Sequence, residues 1–529
     1  MIRTRPFSTG RSGIIATMAM LFCVGSIFIS GHAAASSSND VCETRPNDTA
    51  AKLAECIQPQ ALWRHLEAFQ RIANRNPGAD GHGNRDIGTL GYKASVNYVA
   101  ALMRQAGYRV TIQPYNWKNV SVTGTPSFGI TSQRHRLSRD WFVARRSGGG
   151  AVTARVQPVG ITGIAMTGGA GSGCSPTEFG AFVSGSIALV QRGSCAFDTA
   201  VANATAAGAS AVIIYNRYNR DGAPGDTGKI MRDDGGAFEA KLGDAARIPV
   251  IGVVAHAVGT DLFKQYMAGT APVGQIDVRT RLISGVDYNV IAESPYGDRN
   301  HVVVVDAHLD SIYGAGILDN ASGSATILEI ALKMAKTPTS NQLRYIWFGG
   351  EELGLLGSDY YTKALRPEEL HKIVFDIDSD VTATPNFAIQ VADPAFASNV
   401  KRFPPNVVPE SRVGNQYFAD YFRSIGVVSR PAGFGNDGTD SNSFSLIGVP
   451  NTGILTEQDC CKPAWQVKLW GGFLGNYEGH IPSYDGGCVD NPRRWCDNLS
   501  NTDQFVLGFV SKAFANVTFK LANDTTLDR

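Results

Sequence analysis

The chain has almost no excess charge: 48 lysines and arginines stand against 47 aspartates and glutamates in 529 residues, a net charge of +1. That balance removes the electrostatic basis for binding nucleic acid or an acidic membrane surface. Thiolate clusters are lacking as well. Nine cysteines are present, yet no two are spaced as Cys-x-x-Cys, the spacing many structural zinc sites use. Beyond the first thirty residues, no stretch reads as long and apolar enough to cross a bilayer. Histidine is sparse, nine in all, so an imidazole at a patterned position carries information.

The length calls for two or three domains. Arg3, Arg5 and Arg11 precede an apolar run from Ile14 to Ile29, followed by His32-Ala33-Ala34-Ala35. A charged start, a short apolar core and small residues at a cleavage site predict a signal peptide over residues 1–35. The chain is therefore expected outside the cytoplasm, secreted or periplasmic, with no stable membrane association once the segment is cleaved. Eight cysteines remain without Cys23, and an even count in an exported chain favours disulfides. Local spacing pairs Cys42–Cys56, Cys174–Cys195 and Cys488–Cys496, leaving Cys460 and Cys461 unassigned.

Helical spacing of Leu62, Leu66, Phe69 and Ala73 predicts one helix. Val96, Val99, Leu102 and Met103 predict a second, stopped by Gly107. Arg109 to Pro114 alternates as a strand. Residues 36–149 thus open an α/β domain. Residues 150–280 differ, being rich in Gly, Ala and Val, with short strands at Ile187–Val190 and Val212–Tyr215 and an Ala-rich helix from Phe197 to Ala207 between them. From 281 to 529 the α/β pattern resumes: strand Val302–Val305, helix Ala325–Ala335, strand Leu343–Phe348 and helix Ser358–Leu365. Alternating strands and helices predict a mixed, largely parallel sheet flanked by helices, with its site beyond the strand ends.

The chemistry concentrates between residues 300 and 380. His308 ends an apolar strand, and Asp310 two residues on can fix its tautomer. Asp319 sits in a Gly-flanked turn, where a carboxylate can bridge two metals. Glu351-Glu352 follows another apolar strand. Adjacent carboxylates there are costly unless cations or protons compensate. Two metals would divide their labour, one glutamate ligating and the other taking a proton from water.

These residues lie in Ala307-His308-Leu309-Asp310-Ser311, Leu318-Asp319-Asn320-Ala321-Ser322-Gly323 and Gly350-Glu351-Glu352-Leu353-Gly354-Leu355-Leu356-Gly357-Ser358. In this order the three motifs resemble the double-zinc aminopeptidases, the group that also holds aminopeptidase Y, glutamate carboxypeptidase and glutaminyl cyclase. Asn84-Arg85 and Gly88-Thr89-Leu90-Gly91-Tyr92 extend the likeness towards the start. The middle segment, with Ser186-Ile187-Ala188-Leu189-Val190-Gln191-Arg192-Gly193-Ser194-Cys195, Ala200–Ala204 and Ala206–Ala209, resembles the protease-associated domain. In that family the domain is a small non-catalytic lid or substrate-positioning insert.

The resemblance implies two Zn2+ ions per chain, with His308 on one, Asp319 bridging, Glu352 on the other and Glu351 as general base. It places a further ligand among Asp376, Asp378 and Asp380. Alignment from Lys372-Ile373 to Thr384-Pro385-Asn386 selects Asp380. The last ligand departs from the family pattern. Cys488-Val489-Asp490 carries aspartate where histidine is expected, and His480 is the only histidine after Asp380, so the choice lies between His480 and Asp490, with His480 preferred. The implied activity is removal of N-terminal residues from peptides with a free N-terminus. Carboxypeptidase or glutaminyl cyclase chemistry, or a non-catalytic receptor-like homologue, are the alternatives on the same scaffold.

Overall fold

The computed structural model describes residues 41–527, excepting 43, 79–80, 132, 138–139, 162–171, 194, 217–239, 241, 244–245, 313, 398, 434–437, 459–461 and 479–496. The expected signal segment, His480, Asp490, Cys460, Cys461, Cys488 and Cys496 lie outside the described residues.

Thirteen strands join one continuous sheet. They are β1 (Arg109–Ile130), β2 (Gln133–Arg134), β3 (Gly150–Pro158), β4 (Ile187–Gln191), β5 (Ala211–Tyr215), β6 (Val250–Val254) and β7 (Val273–Glu293). The remainder are β8 (Asp298–His308), β9 (Asn341–Phe348), β10 (Ile373–Ser379), β11 (Gln390–Ala392), β12 (Arg430–Ala432) and β13 (Asn451–Leu455). The order is β12-β11-β13-β10-β8-β9-β7-β3-β4-β5-β6, with β1 paired to β7 and β2 to β1.

The centre, β13-β10-β8-β9, is parallel throughout. Buried on both faces, its strands have no need to alternate: Val302 to Val305 are all fully buried, as is Ile346 to Phe348 on β9. The helices Pro59–Arg75, Leu90–Gln105, Ser322–Met334 and Gln504–Asn523 contribute to the main core, where Phe69, Val99, Leu328 and Phe514 are fully buried. The expectation that nothing past the first segment could span a bilayer is corrected by Gln504–Asn523. At 20 residues and a hydropathy of 1.3 it is long and apolar enough by those measures. Its Val506, Leu507, Val510, Phe514, Val517 and Leu521 are instead buried in the core, which accounts for the apolar composition.

A parallel block, β3-β4-β5-β6, forms the sheet of the middle segment. It is tied to the first block by the β1–β7 ribbon, paired from Arg109↔Glu293 to Ile130↔Gly274 with an irregularity between Thr123 and Ser127. β7 joins β3 near its start and β9 at its end. The boundary drawn at 280 therefore falls inside β7. β1 runs well past the alternation expected over Arg109–Pro114: Tyr115 and Trp117 are still buried between exposed neighbours, and from 118 to 127 the strand has no buried residue. The disulfides Cys42–Cys56 and Cys174–Cys195 form as their spacing suggested.

Candidate metal centre

His308, Glu352 and Asp380 sit at or just past the carboxyl ends of central parallel strands, where the chain leaves the sheet and side chains can converge, and Asp319 joins them from the turn Ile317–Ala321. His308 closes β8, Glu351-Glu352 follow β9 and Asp380 follows β10. Gly350 makes the turn after β9 possible: its φ of 71° is left-handed, a conformation open to glycine at no steric cost. Gly323 permits the close approach of the Asp319 turn to β10, since a Cβ there would collide with the Ser379 carbonyl.

His308, Asp319 and Asp380 offer ligand atoms that all lie within 4.8 Å of one another, and all three are buried. His308 Nε2 is 2.9 Å from Asp319 Oδ1 and 3.5 Å from Asp380 Oδ1. On the other side of the ring, Nδ1 is 3.2 Å from the Asp310 carbonyl oxygen and 3.5 Å from its Oδ1. The Glu351 backbone N–H donates to Asp310 Oδ1 at 3.2 Å, so Asp310 links the imidazole to the glutamate turn.

The electrostatics call for positive charge. Burial, with Glu352 and Asp380 nearby, pushes Asp319 up to about 8. Burial lowers the His308 pKa, but Asp380, Asp310 and Asp319 outweigh it and hold the imidazole well above its usual range. Asp380 Oδ1 accepts no hydrogen bond. Three acids around one imidazole, with Asp380 Oδ1 and Asp310 Oδ2 left over, is the donor set of a zinc-type cation rather than of a self-contained ion pair.

Of the three aspartates weighed on β10 and its end, only Asp380 reaches this group. Asp378 Oδ2 accepts from Thr439 Oγ1 at 2.6 Å and from the Ser441 N–H at 3.1 Å, and burial raises it to about 6. Asp376 is fully buried further down the strand, and burial together with the nearby Asp378 carboxylate raises it well above the usual range. Glu351 and Glu352 are both buried, in a single 3-10 turn, Glu351–Leu353. Arg145 crosses from the segment before β3 to hold that turn: Nη1 donates to the Glu352 carbonyl at 2.5 Å and lies 4.0 Å from Glu352 Oε2. Arg146 donates to the Leu353 carbonyl beside it.

Two supporting residues had no role assigned from sequence. Asp497 accepts the backbone N–H groups of Ile317, Leu318 and Asp319 at 3.0, 2.7 and 3.0 Å. Arg85, fully buried, donates to the carbonyls of Ala315, Leu309 and Gly316 at 2.6, 2.7 and 2.7 Å. Arg85 stood inside a motif, next to Asn84, and Asp497 follows Cys496. Their function is invisible without the fold because their partners are backbone atoms of a segment at least 178 residues away.

The model of the PA domain matches residues 154–262, and that of peptidase family M28 matches residues 289–505. An aminopeptidase of Pseudomonas aeruginosa is 34% identical over 486 residues, covering 89% of this chain and 82% of that one. The chain belongs to peptidase family M28.

The fold of this M28 chain is shared by solved structures. An aminopeptidase from Aneurinibacillus sp. strain AM-1 superposes with a TM-score of 0.67 at 20% identity, covering 90% of this chain and 97% of that one. BSAP, a zinc aminopeptidase from Bacillus subtilis, gives 0.56 at 20% identity, covering 88% and 96%. With its family and its aminopeptidase relatives, this M28 chain is a hydrolytic exopeptidase, a metallo-aminopeptidase carrying an inserted PA domain.

Proposed function

We propose that this M28 peptidase is exported and hydrolyses N-terminal residues from peptides with two zinc ions. His308, Asp319 and Asp380 would hold one ion. Asp319, as the bridge, would hold the other with Glu352 and, from outside the described residues, His480. The mutual distances within 4.8 Å of the three buried ligands carry the reading, and Asp380 Oδ1, without a donor, is the oxygen a cation would satisfy. When bound, zinc polarises the scissile carbonyl and lowers the pKa of water.

The chain's own groups do the rest. Glu351 accepts the proton of the attacking water and passes it to the leaving amine. Asp310 accepts from His308 Nδ1–H, which orients the ring with Nε2 towards Asp319 and Asp380 and makes that nitrogen a better donor to a cation. Its second tie, to the Glu351 N–H, fixes the base relative to the ligand. Arg145 and Arg146 brace the same turn from the PA side. Export is supported by the signal pattern and by the two disulfides, which persist in oxidising compartments. The PA domain, which we place at about 150–280, contributes no candidate ligand.

The test is Glu351→Gln in the mature protein. Zinc content and folding should hold, while kcat on aminoacyl-nitroanilides falls at least about 10²–10⁴-fold, since the amide keeps shape but accepts no proton. A zinc-loaded variant with near-normal turnover would remove Glu351 from this role.

A further inference from the structure

Glu457 lies two residues past β13, at the same end of the sheet as the metal centre. Its φ is 70°, a left-handed conformation that a side chain adopts at a cost, and one that clusters at functional positions. Its carboxylate is buried as well. The residue is 9% exposed, and Oε2 has no hydrogen-bond partner. Burial alone pushes the group up to about 7. A lysine stands close in sequence, but Lys462 Nζ donates to the Phe387 carbonyl at 2.5 Å and to Asn386 Oδ1 at 3.3 Å. Among the described residues no cation pairs with Glu457. A strained, desolvated, unpaired carboxylate costs stability, and the chain gains nothing from it unless a cation arrives from outside.

The position says which cation. β13 runs parallel to β10 with Ser379 opposite Ile454, so Asp380 is abreast of Leu455 and Glu457 is two residues further on. One strand spacing and two residue rises put the Cα atoms of Glu457 and Asp380 roughly 8 Å apart. The two turns are stitched together: Thr456 Oγ1 donates to the Val381 carbonyl at 2.5 Å, and Thr384 Oγ1 donates to the Glu457 carbonyl at 2.6 Å. An α-ammonium must stay beside the scissile carbonyl at the metals. A carboxylate carried on a backbone position that far from Asp380 fits the far end of a long cationic side chain instead, a lysine's four-carbon stem or an arginine's fork.

We propose that Glu457 is a specificity-determining residue that receives the cationic side chain of a lysine or arginine at the N-terminus of the peptide. The proposal rests on the aminopeptidase reading and deepens it. The experiment measures kcat/KM at pH 8 for lysyl-, arginyl- and leucyl-nitroanilides with the zinc-loaded mature protein and its Glu457→Gln and Glu457→Gly variants. Glycine suits the left-handed backbone, so the second variant keeps the test open should the first misfold. The lysyl-to-leucyl ratio should fall about 10–100-fold in both, the loss of one hydrogen-bonded charge pair, with metal content retained. A ratio unchanged in the variants overturns the assignment, as does a wild type that cleaves the leucyl but not the lysyl substrate. A zinc-loaded wild type inactive on every aminoacyl substrate would instead bring down the aminopeptidase reading, and this assignment with it.

Discussion

Asp497→Ala tests how the Asp319 turn is held. In the wild type one buried carboxylate accepts three consecutive backbone N–H groups, those of Ile317, Leu318 and Asp319. Alanine leaves three buried donors without an acceptor, each costing about 1–3 kcal/mol. Water entering the vacated space should recover part of this, so about 3–5 kcal/mol is expected, a fall in Tm on the order of 10 °C for a domain of this size. Asparagine is the graded control. Its carbonyl oxygen can keep the Ile317 and Leu318 bonds made by Oδ1, while its amide faces the Asp319 N–H donor to donor. It should cost about 2 kcal/mol, the loss of one charge-assisted bond. Because the third bond is to Asp319 itself, zinc affinity should fall about 10–100-fold in both variants. Calorimetry of the metal-free protein gives the stability, and competition with a zinc-sensitive dye gives the affinity. An alanine variant that melts with wild type and binds zinc equally well would refute the claim that Asp497 holds the Asp319 turn in place.

Three further outcomes are expected. His480→Ala should lower zinc stoichiometry from about two towards one by leaving one site under-coordinated, while Asp490→Ala retains it; elemental analysis giving the opposite pattern would reverse the choice. Arg145→Ala should weaken zinc binding about 10-fold, since it frees the turn that carries Glu352, and an unchanged dye-competition affinity would show the clamp to be idle. Glu457→Gln should stabilise the protein increasingly with pH. Below about pH 4.5 the glutamate is protonated folded and unfolded alike; between there and about 7 only the unfolded chain ionises; above 7 the folded state carries the full cost, about 3 kcal/mol for a shift from 4.5 to about 7. Urea titrations of both proteins at pH 4 and pH 8 measure it, and a difference independent of pH would mean the carboxylate is not desolvated.

Much of the catalytic block was legible because its signals are local. A strand buried on both faces must be an unbroken apolar run, and Val302–Val305 and Leu343–Phe348 are such runs. A ligand just past such a strand stands out against it, as His308 and Glu351-Glu352 do. The PA segment was likewise marked by its short apolar strands. What failed was whatever lacked a period. The long β1–β7 ribbon is solvated along its middle, so no continuous apolar period runs its length, and the apolar helix Gln504–Asn523 passes unremarked because a core helix and the rest of the core use the same residues.

The sequence by itself determined the class of chemistry, the strand ends on which it sits and the two local disulfides, since each follows from neighbours within a few tens of residues. The resemblance selected Asp380 over Asp376 and Asp378, which strand alternation leaves equivalent, and the tertiary structure supplied the physical reason. All three fall on one face of the strand at a period of two, and what distinguishes them is which element each meets: Asp380 the His308 ring, Asp378 the Thr439–Ser441 turn. The fold alone also gave Asp497, Arg85 and Arg145 their partners, backbone atoms of distant segments that carry no side-chain signature. Glu457 belongs with them, because a left-handed φ and a carboxylate without a partner come into being only when the chain has closed around them.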